Sequence, residues 1–546
     1  MFIEKEILYY IENPNKEVNV LKYISSGLYK KNLENIAEDM INNKYYIPNI
    51  GYTENLFDEK YNRSTLRLIH GFTILSPLIH AYNKTQDSKY LLKGLSVVDK
   101  WIDEFKYEDS KKSMAFHDET TSLRLNNFIY FFDICKDKVE IKYIKKLYQE
   151  IKNTAYLLSK DYFYTKNTNH GMFQDISLVL YSKYFIKNKE STYYYELSKV
   201  RLKSYFEYIY FESGVHKEHS PAYHFLVSYK ILKLSQELFS LDIEFREYLY
   251  KKYLRTCDFS TYIIKPDGKL PNIGDTQPNI DARKFYRNLY EDENYSNVII
   301  ENYDKVNLKT DYADLKSGYA VLRNKWGSDS VYILFCASYN TSYHKHCDDL
   351  NFIIHYKGDI ICEAGPFGYD YKDENCIYGY SSFAHNTLIV NGESLPRVDK
   401  KYDRVKMIEC ELGENKSAVK GINARYENVQ HERTILFDKD NMMINIKDCI
   451  TSKHINKYTL LFHLAPNLIP RQYGNEIEVY KDDKMICQIE FKSDEDICVN
   501  CSYGGSQDKI KGLNFPKMYE IDFNYVIYVN IDNLKDINLN TYLKIY

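Results

Sequence analysis

The sequence predicts a helical first part followed by an antiparallel, β-rich second part. From about residue 64, apolar residues recur at steps of three and four, which is typical of amphipathic helices. From about residue 315, short apolar runs separated by turn residues replace this pattern, as is typical of antiparallel strands. We therefore predict a helical domain over residues 1–310 and a β domain over residues 311–546.

The helical part begins after a polar, aromatic-rich stretch of about 60 residues, in which we expect only short helical pieces and loops. The first two long helices are indicated by the apolar sets Leu66, Ile69, Phe72, Leu75 and Ile79, and Leu91, Leu95, Val98, Trp101 and Phe105. Further amphipathic segments cover residues 119–135, 141–159, 174–187, 193–211, 222–240 and 243–257. Helices in succession with short polar connectors indicate antiparallel packing, either as a bundle or as a ring of hairpins.

The β part is predicted from six apolar runs, which cover residues 321–322, 331–335, 352–354, 387–390, 442–446 and 458–462. Turn residues stand between several of them, as in Lys357-Gly358-Asp359, Asn391-Gly392 and Lys439-Asp440. Short strands with turns between them indicate an antiparallel all-β domain.

Composition excludes some classes of function. The net charge of 546 residues is only −3, so no basic surface argues for nucleic acid. We find no run of about 18 apolar residues, and therefore expect no membrane span. The 56 tyrosines are unusually many. They are explained by codon usage in an AT-rich genome, by tyrosines lining a sugar-binding groove, or by both.

Two histidines, His344 and His346, stand two residues apart just before an apolar run. If the backbone is extended there, both side chains point to the same face. Glu363 and His385 follow, each at the edge of a predicted strand. A histidine, a carboxylate and a second histidine make a three-ligand metal site plausible.

Three polar stretches interrupt the helical part, and each has an ordinary structural explanation as a cap, loop or turn. They are Thr168–Met172 with Asn169 and His170, Gly214–His224 with Glu218 and Tyr223, and Leu270–Thr276 with Asp275. Arg124 is either a helix-surface arginine or an anion clamp. No nucleophile elbow, P-loop or dinucleotide-binding fingerprint is present.

In this order, the motifs Asn-His-Gly, Glu-x-x-x-x-Tyr-His, Ile-Gly-Asp, His-x-His and His-Asn-Thr resemble those of the heparinase II/III family of polysaccharide lyases. Alginate lyases of similar architecture share the plan. The resemblance covers about residues 110–400 and implies an incomplete α/α toroid followed by an antiparallel β-sandwich. It also implies cleavage of uronic-acid-containing glycans by β-elimination, with a 4,5-unsaturated uronate as product.

The resemblance also implies roles for individual residues. Asn169 matches the asparagine that neutralises the uronate carboxylate, Tyr223 the catalytic tyrosine, and His344 the second acid/base residue. His346, Glu363 and His385 match the ligands of a divalent metal, usually Zn²⁺, with a structural role. The family commonly has aspartate where this chain has Glu363. Arg124, His170 and Glu218 match residues that line or support the substrate cleft.

Two other classes of function stay open. A glycoside hydrolase on a similar toroid would use paired acids such as Glu218 and Asp275 and give a saturated product. A glycan-binding protein without activity would bind but not cleave. The amino terminus has no signal-peptide pattern, so we expect a cytoplasmic protein acting on short oligosaccharides, with a periplasmic or secreted location as the alternative and a homodimer as one possible assembly.

Overall fold

The computed structural model describes residues 2–14, 29, 32–48, 50–107, 113–238, 241–504 and 509–546. The chain divides into two compact units. Unit 1 consists of Met1–Tyr208 and Leu234–Glu247, and unit 2 of Ile209–Lys233 and Tyr248–Tyr546. The predicted division near residue 310 concerns the change from helices to strands, and as a domain boundary it stays a prediction.

Helices make up most of the chain before residue 300, which confirms the predicted helical part. They are α1 (Phe2–Glu12), α2 (Leu33–Ile41), α3 (Arg63–His70), α4 (Ser76–Thr85), α5 (Lys89–Glu104), α6 (Asp118–Cys135), α7 (Ile141–Leu158), α8 (Asn169–Tyr184), α9 (Ser191–Ile209), α10 (Pro221–Glu237), α11 (Ile243–Arg255), α12 (Cys257–Ile263), α13 (Ala282–Phe285) and α14 (Glu293–Ile299). A short hairpin of β1 (Tyr45–Ile47) and β2 (Gly51–Thr53) lies in the stretch expected to hold only helical pieces and loops.

Unit 1 has a core rich in aromatic side chains. Trp101 of α5 is fully buried at its centre, packs edge-on against Phe72 at 5.8 Å between ring centroids, and donates a hydrogen bond from Nε1 to His70 Nδ1 at 3.0 Å. The buried faces of α4, α5, α6 and α7 join this single cluster. The three- and four-residue spacing that predicts the helices therefore also identifies the side chains that form the core.

The second part of the chain is antiparallel β structure, as predicted. Its strands are β3 (Tyr312–Asp314), β4 (Tyr319–Arg323), β5 (Tyr332–Cys336), β6 (Asn351–His355), β7 (Asp359–Ile361), β8 (Leu388–Val390), β9 (Val405–Leu412), β10 (Lys416–Asn423), β11 (Val429–Asp438), β12 (Met443–Ser452), β13 (Asn456–His463), β14 (Ile469–Tyr473), β15 (Glu476–Lys481), β16 (Lys484–Ser493), β17 (Cys498–Tyr503), β18 (Leu513–Asn514), β19 (Asp522–Phe523), β20 (Tyr525–Leu534) and β21 (Ile537–Ile545). One short helix, α15 (Glu374–Tyr380), interrupts them.

Three sheets share the core of unit 2. An eight-stranded sheet has the order β14-β15-β16-β21-β12-β11-β10-β9, a five-stranded sheet the order β3-β4-β5-β6-β7, and a four-stranded sheet the order β17-β20-β13-β8. Burial alternates along β11 and β21, as expected for a sheet with one face in solvent, whereas β4, β5 and β6 are buried throughout. The five-stranded sheet is therefore covered on both faces, and its Tyr319 contacts Phe259 of α12 at 5.4 Å between ring centroids.

Among the described helices, not one combines the length and the apolar character needed to cross a lipid bilayer.

Candidate active site

A tyrosine and a histidine from distant parts of the sequence stack on each other in unit 2. Tyr223 lies in the first turn of α10, which begins at Pro221, and its ring is 3.5 Å from that of His344 between centroids, with planes 21° apart. Thr276 fixes the start of the helix, because its Oγ1 accepts from Ala222 N at 3.1 Å. Two proton-transferring side chains thus lie face to face.

The backbone at His344 is not extended, so the expectation of a strand-like histidine pair is wrong. His344 has a φ of +54°, in the left-handed region, and the next strand along the chain, β6, does not begin until Asn351. A non-glycine residue with positive φ is uncommon and marks a turn or a constrained site. His344 and His346 nevertheless converge, because both contact one carboxylate.

That carboxylate belongs to Asp275, which bridges the two histidines. His344 Nδ1 lies 2.6 Å from Asp275 Oδ2, and His346 Nε2 lies 3.0 Å from Asp275 Oδ1. On the other edge of the His344 ring, Nε2 lies 3.3 Å from Glu218 Oε2. Both nitrogen atoms of His344 therefore face buried carboxylates, which fixes the orientation of the ring.

Gly274 allows the segment that carries Asp275 to approach its neighbours. Its φ is +52°, and a Cβ at this position would lie 2.1 Å from the carbonyl oxygen of His219 and 2.8 Å from that of His344. Neither distance is compatible with a side chain. The Ile-Gly-Asp motif thus places Asp275 against the loop that carries the two histidines.

Burial and neighbouring groups act in opposite directions on the pKa of Asp275 and in the same direction on the pKa of Tyr223. Burial alone would raise the pKa of Asp275, but hydrogen bonds and charge from His344 and His346 outweigh it and hold the pKa below its usual range. Burial, together with the nearby Tyr369, Asp275 and Glu218, raises the pKa of Tyr223 well above 10. The tyrosine hydroxyl is therefore protonated at neutral pH, and Asp275 is a carboxylate.

The predicted metal ligands are buried close to this pair. His385 Nδ1 contacts Glu363 Oε2, and the rings of His346 and His385 are 5.4 Å apart between centroids. His346 Nδ1 and His385 Nε2 are buried and have no hydrogen-bond partner among the described residues. Two unpartnered imidazole nitrogens beside a buried carboxylate are a donor set that fits a divalent cation.

The remaining predicted residues lie in unit 1. Asn169 and His170 begin α8, where Thr168 Oγ1 accepts from Gly171 N at 3.0 Å. His170 Nδ1 lies 3.0 Å from Asp118 Oδ1, whereas the amide of Asn169 has no hydrogen-bond partner among the residues that the structure describes.

Asp118 also brings a second histidine close to His170. His117 Nδ1 lies 3.0 Å from the same Asp118 oxygen. Across the described ranges, these three residues are the one group of three histidine, cysteine or acidic side chains whose ligand atoms all lie within 4.8 Å of one another. His346, Glu363 and His385 are not so closely grouped, and they would have to draw together around an ion.

Arg124 is fully buried in unit 1. Its guanidinium lies 4.3 Å from the centroid of the Trp101 ring and donates from Nη1 to the carbonyl oxygen of Ala115 at 2.6 Å. These contacts account for Arg124 as a core residue that stacks on an aromatic ring. A role in substrate binding stays a prediction from the resemblance, and the burial of the side chain gives it no support.

Sequence reasoning did not assign the residue that holds His344 and His346 together. Asp275 was noted only in a turn and as one acid of a hydrolase alternative. The signal was the Ile-Gly-Asp motif itself, since a glycine before an acidic residue often marks a close backbone approach. Tyr369 was also not identified, although its hydroxyl oxygen lies 3.5 Å from that of Tyr223.

Two family models match this chain, and together they span most of it. The model described as "Heparinase II/III N-terminus" matches residues 23–298, and that described as "Heparinase II/III-like, C-terminal" matches residues 311–518. The chain belongs to the heparinase II/III family. The resemblance inferred from the motifs is thereby confirmed.

Known proteins similar to this family member are lyases by name. A heparin-sulfate lyase of Bacteroides stercoris is 21% identical over 312 residues, which cover 53% of this chain and 45% of that protein. The match thus spans less than half the length of this curated relative.

Solved structures show the same fold at low sequence identity. A heparinase III structure has a TM-score of 0.79 at 14% identity, covering 100% of this chain and 89% of that one. The heparan sulfate lyase HepC from Pedobacter heparinus has a TM-score of 0.69 at 15% identity, covering 100% and 88%. The predicted fold class, a helical toroid region followed by an antiparallel β-sandwich, is confirmed.

Proposed function

We propose that this protein is a polysaccharide lyase that cleaves uronic-acid-containing glycans by β-elimination. The observation that carries the proposal is the stacked pair of Tyr223 and His344, with His344 held in place by Asp275. β-Elimination needs one group to accept a proton and another to donate one, within a single active site. The names of the relatives support the same reaction class.

The reaction needs no water and balances within the substrate. A base removes the proton at C5 of the uronate, alpha to the carboxylate. The electron pair of that C–H bond forms the C4–C5 double bond, and the bond from C4 to the glycosidic oxygen breaks. An acid donates a proton to that oxygen, which becomes the hydroxyl of the departing sugar.

Tyr223 suits the donor role, because its raised pKa keeps the hydroxyl protonated in the free protein. His344 then accepts the C5 proton through Nε2, since Nδ1 is held by Asp275. For the opposite uronate epimer, in which the proton and the leaving oxygen lie on one face, Tyr223 would first have to lose its hydroxyl proton and would then serve as base and acid in turn. In both cases each group contributes about 10²–10⁴-fold to the rate.

The substrate carboxylate must be neutralised, because a negative charge makes the C5 proton very weakly acidic. We propose Asn169 for this task, as the family resemblance predicts. An amide that donates to the carboxylate stabilises the enolate-like state that develops when the proton leaves. The Asn169 amide, which has no hydrogen-bond partner among the described residues, supports this role. We propose that His170 and Glu218 support the binding of substrate.

We further propose that His346, Glu363 and His385 hold a divalent cation, with Zn²⁺ as the first candidate. Such an ion would have a structural role and would pin the loop that carries His344. Because glutamate replaces the usual aspartate at residue 363, another divalent metal is an alternative. The cytoplasmic location and the homodimer stay predictions.

The hydrolase alternative is less well supported by the geometry. Glu218 and Asp275, its two candidate acids, face opposite nitrogens of the His344 ring. The lowered pKa of Asp275 also disfavours it as a proton donor. A hydrolase would give saturated products, and a binding protein no products.

The test is the ultraviolet absorbance of the unsaturated product with heparan, hyaluronan, chondroitin and alginate oligosaccharides. We expect absorbance to rise with at least one substrate, and Tyr223→Phe to lower kcat by about 10²–10⁴-fold. Phenylalanine keeps the ring on His344 and removes only the hydroxyl, so the melting temperature reports whether the fold is intact. Cleavage that yields only saturated ends would contradict the lyase assignment.

A further inference from the structure

The loop after β8 holds an arginine that forms no ion pair with the residues that the structure describes. The guanidinium of Arg397 lies 4.6 Å from the ring centroid of Tyr371 and 5.3 Å from that of Tyr380. No carboxylate of the described residues lies within 4.0 Å of it, and it donates no hydrogen bond to any of them. By contrast, the neighbouring Arg425 is fully paired, with Asp349 and Asp399.

The backbone on both sides of Arg397 is anchored. Pro396 O accepts from Arg425 Nη2, and Asp399 Oδ2 accepts from Arg425 Nε at 3.1 Å. The backbone N–H of Asp399 donates to Tyr339 Oη at 3.1 Å. The position of the arginine is therefore fixed before any ligand binds, which lowers the entropy lost on binding.

A row of tyrosines connects Arg397 with the stacked pair of Tyr223 and His344. The ring of Tyr380 is 5.5 Å from that of Tyr371 and packs edge-on against His346 at 4.6 Å. Tyr369, two residues before Tyr371, has its hydroxyl oxygen 3.5 Å from that of Tyr223. All these residues belong to unit 2.

The chemistry of this surface fits a charged sugar. Tyr369 and Tyr371 are 38% and 55% exposed, so part of each ring is accessible to the apolar face of a pyranose ring. A guanidinium that stacks on aromatic rings keeps its N–H groups at the edge, where a carboxylate or a sulfate can accept two of them.

We propose that Arg397, Tyr371 and Tyr369 form a subsite for an anionic sugar ring of the glycan, next to the ring that is cleaved. The identity of the ligand as a glycan rests on the proposed function, but binding at the subsite requires no catalysis. The shared feature of the ligand is an anionic oxygen group, which a uronate carboxylate and a sulfate ester both provide.

The test measures oligosaccharide binding by calorimetry in the Tyr223→Phe background, where cleavage does not consume the ligand. Three ligands separate the sources of charge: unsulfated chondroitin, sulfated chondroitin, and unsulfated chondroitin whose carboxyl groups have been reduced. We expect Arg397→Gln to weaken binding of a charged ligand about tenfold or more and to lower its salt dependence. Arg397→Lys keeps the charge without the two-pronged geometry, and we expect an intermediate loss.

The loss should be small for the reduced ligand, because it has no anionic group. If Arg397→Gln loses affinity for both charged ligands, the group that Arg397 binds is the carboxylate. If the loss of affinity is confined to the sulfated ligand, that group is the sulfate. The matched control is Arg404→Gln, an exposed arginine beside Asp403 in the same stretch of chain, which should leave all affinities unchanged. In the active protein, Arg397→Gln should raise KM and leave kcat unaltered.

Equal losses for charged and reduced ligands, unchanged affinity in Arg397→Gln, or no binding of any charged oligosaccharide would overturn the subsite. The two proposals fail separately. Charge-selective binding that depends on Arg397, without any unsaturated product, would refute the lyase and keep the subsite. Cleavage with an unchanged KM in Arg397→Gln would refute the subsite and keep the lyase.

Discussion

At the scale of single residues, the site depends on one carboxylate that contacts no substrate in the proposed reaction. Asp275 uses one oxygen for His344 and the other for His346. It thereby orients the proposed base and a proposed metal ligand together. A carboxylate that holds a histidine in this way fixes the tautomer and the direction of the other ring nitrogen.

We expect Asp275→Asn to lower kcat by about 10–100-fold, because the amide keeps the shape but cannot hold both imidazole N–H groups as a carboxylate does. The measurement is the initial rate of ultraviolet absorbance at saturating substrate, and KM should change much less. Asp267→Asn changes a partly exposed aspartate that forms ion pairs with Lys265 and Lys269, and this control should retain the wild-type rate. An unaltered kcat in Asp275→Asn would show that His344 needs no such support.

At the scale of elements, structure that depends on local sequence patterns can be predicted, whereas structure that depends on contacts between distant residues cannot. The periodicity that predicts α5 to α11 depends on neighbours three and four residues apart, so it can be read from the sequence alone. The apolar set from Leu66 to Ile79 predicts one helix, which is wrong, because the structure has two, α3 and α4, separated at Phe72 by a φ of +60°. The turn at His344 depends on Tyr223 and Asp275, which lie far away along the chain. A period-two reading of the histidine pair could not detect those contacts, and it therefore predicted an extended backbone.

Several strands, among them β9, lie outside the six predicted apolar runs, and the physical cause is similar. In β9, burial alternates only at the start, and a lysine, two glutamates and the last residue, Leu412, are exposed. The apolar residues of such a strand are interrupted by charged ones and form no continuous run, and the strand is stabilised by pairing with β10. The predicted runs in β5, β6 and β13 were found because those strands are buried on both faces for most of their length.

The segment that carries Asp275 gives a prediction at this scale. We expect Gly274→Ala to lower the free energy of unfolding by several kcal/mol, since its Cβ would lie 2.1 Å from a backbone oxygen at a φ of +52°. Gly392→Ala is the matched control, with a φ of +69° and no atom within 4 Å of the added Cβ. Its free energy of unfolding should fall by only about 1–2 kcal/mol, because alanine is strained in the left-handed backbone conformation.

Thermal unfolding of both variants measures the difference. Equal losses in the two proteins would mean that the close approach at Gly274 adds nothing beyond backbone strain. A larger loss at Gly274, together with a lower kcat, would connect the packing of this turn with the position of Asp275.

At the scale of the whole molecule, the fold class and the family could be predicted from the sequence alone. The change from helical periodicity to short apolar runs indicates the fold class, and the order of the motifs indicates the family. Six of the predicted site residues, among them Tyr223 and His344, lie together in unit 2. Their roles could be predicted only through the family resemblance. The roles of Asp275 and Arg397 could be identified only from the structure, because these residues are distinguished by their contacts with residues from other elements.

Buried histidines in both units make stability depend on pH. Burial lowers the pKa of His70, His219 and His224 to about 3 each, whereas an unfolded chain has histidine pKa values of about 6.5. Between these values the unfolded chain binds protons that the folded protein does not. The stabilisation is therefore complete above about pH 7 and is lost as the pH falls below about 6.5.

We expect the free energy of unfolding to fall by about 1.4 kcal/mol per pH unit for each such histidine below about pH 6. His224→Gln should reduce this slope by about one proton, because glutamine can take the place of the imidazole beside Ser260 Oγ and does not titrate. The control is His454→Gln, whose side chain is exposed, and its slope should equal that of the wild type. Denaturant unfolding between pH 5 and pH 8 gives the slopes, and an unchanged slope in His224→Gln would show that the folded protein binds the proton at His224 as readily as the unfolded chain does.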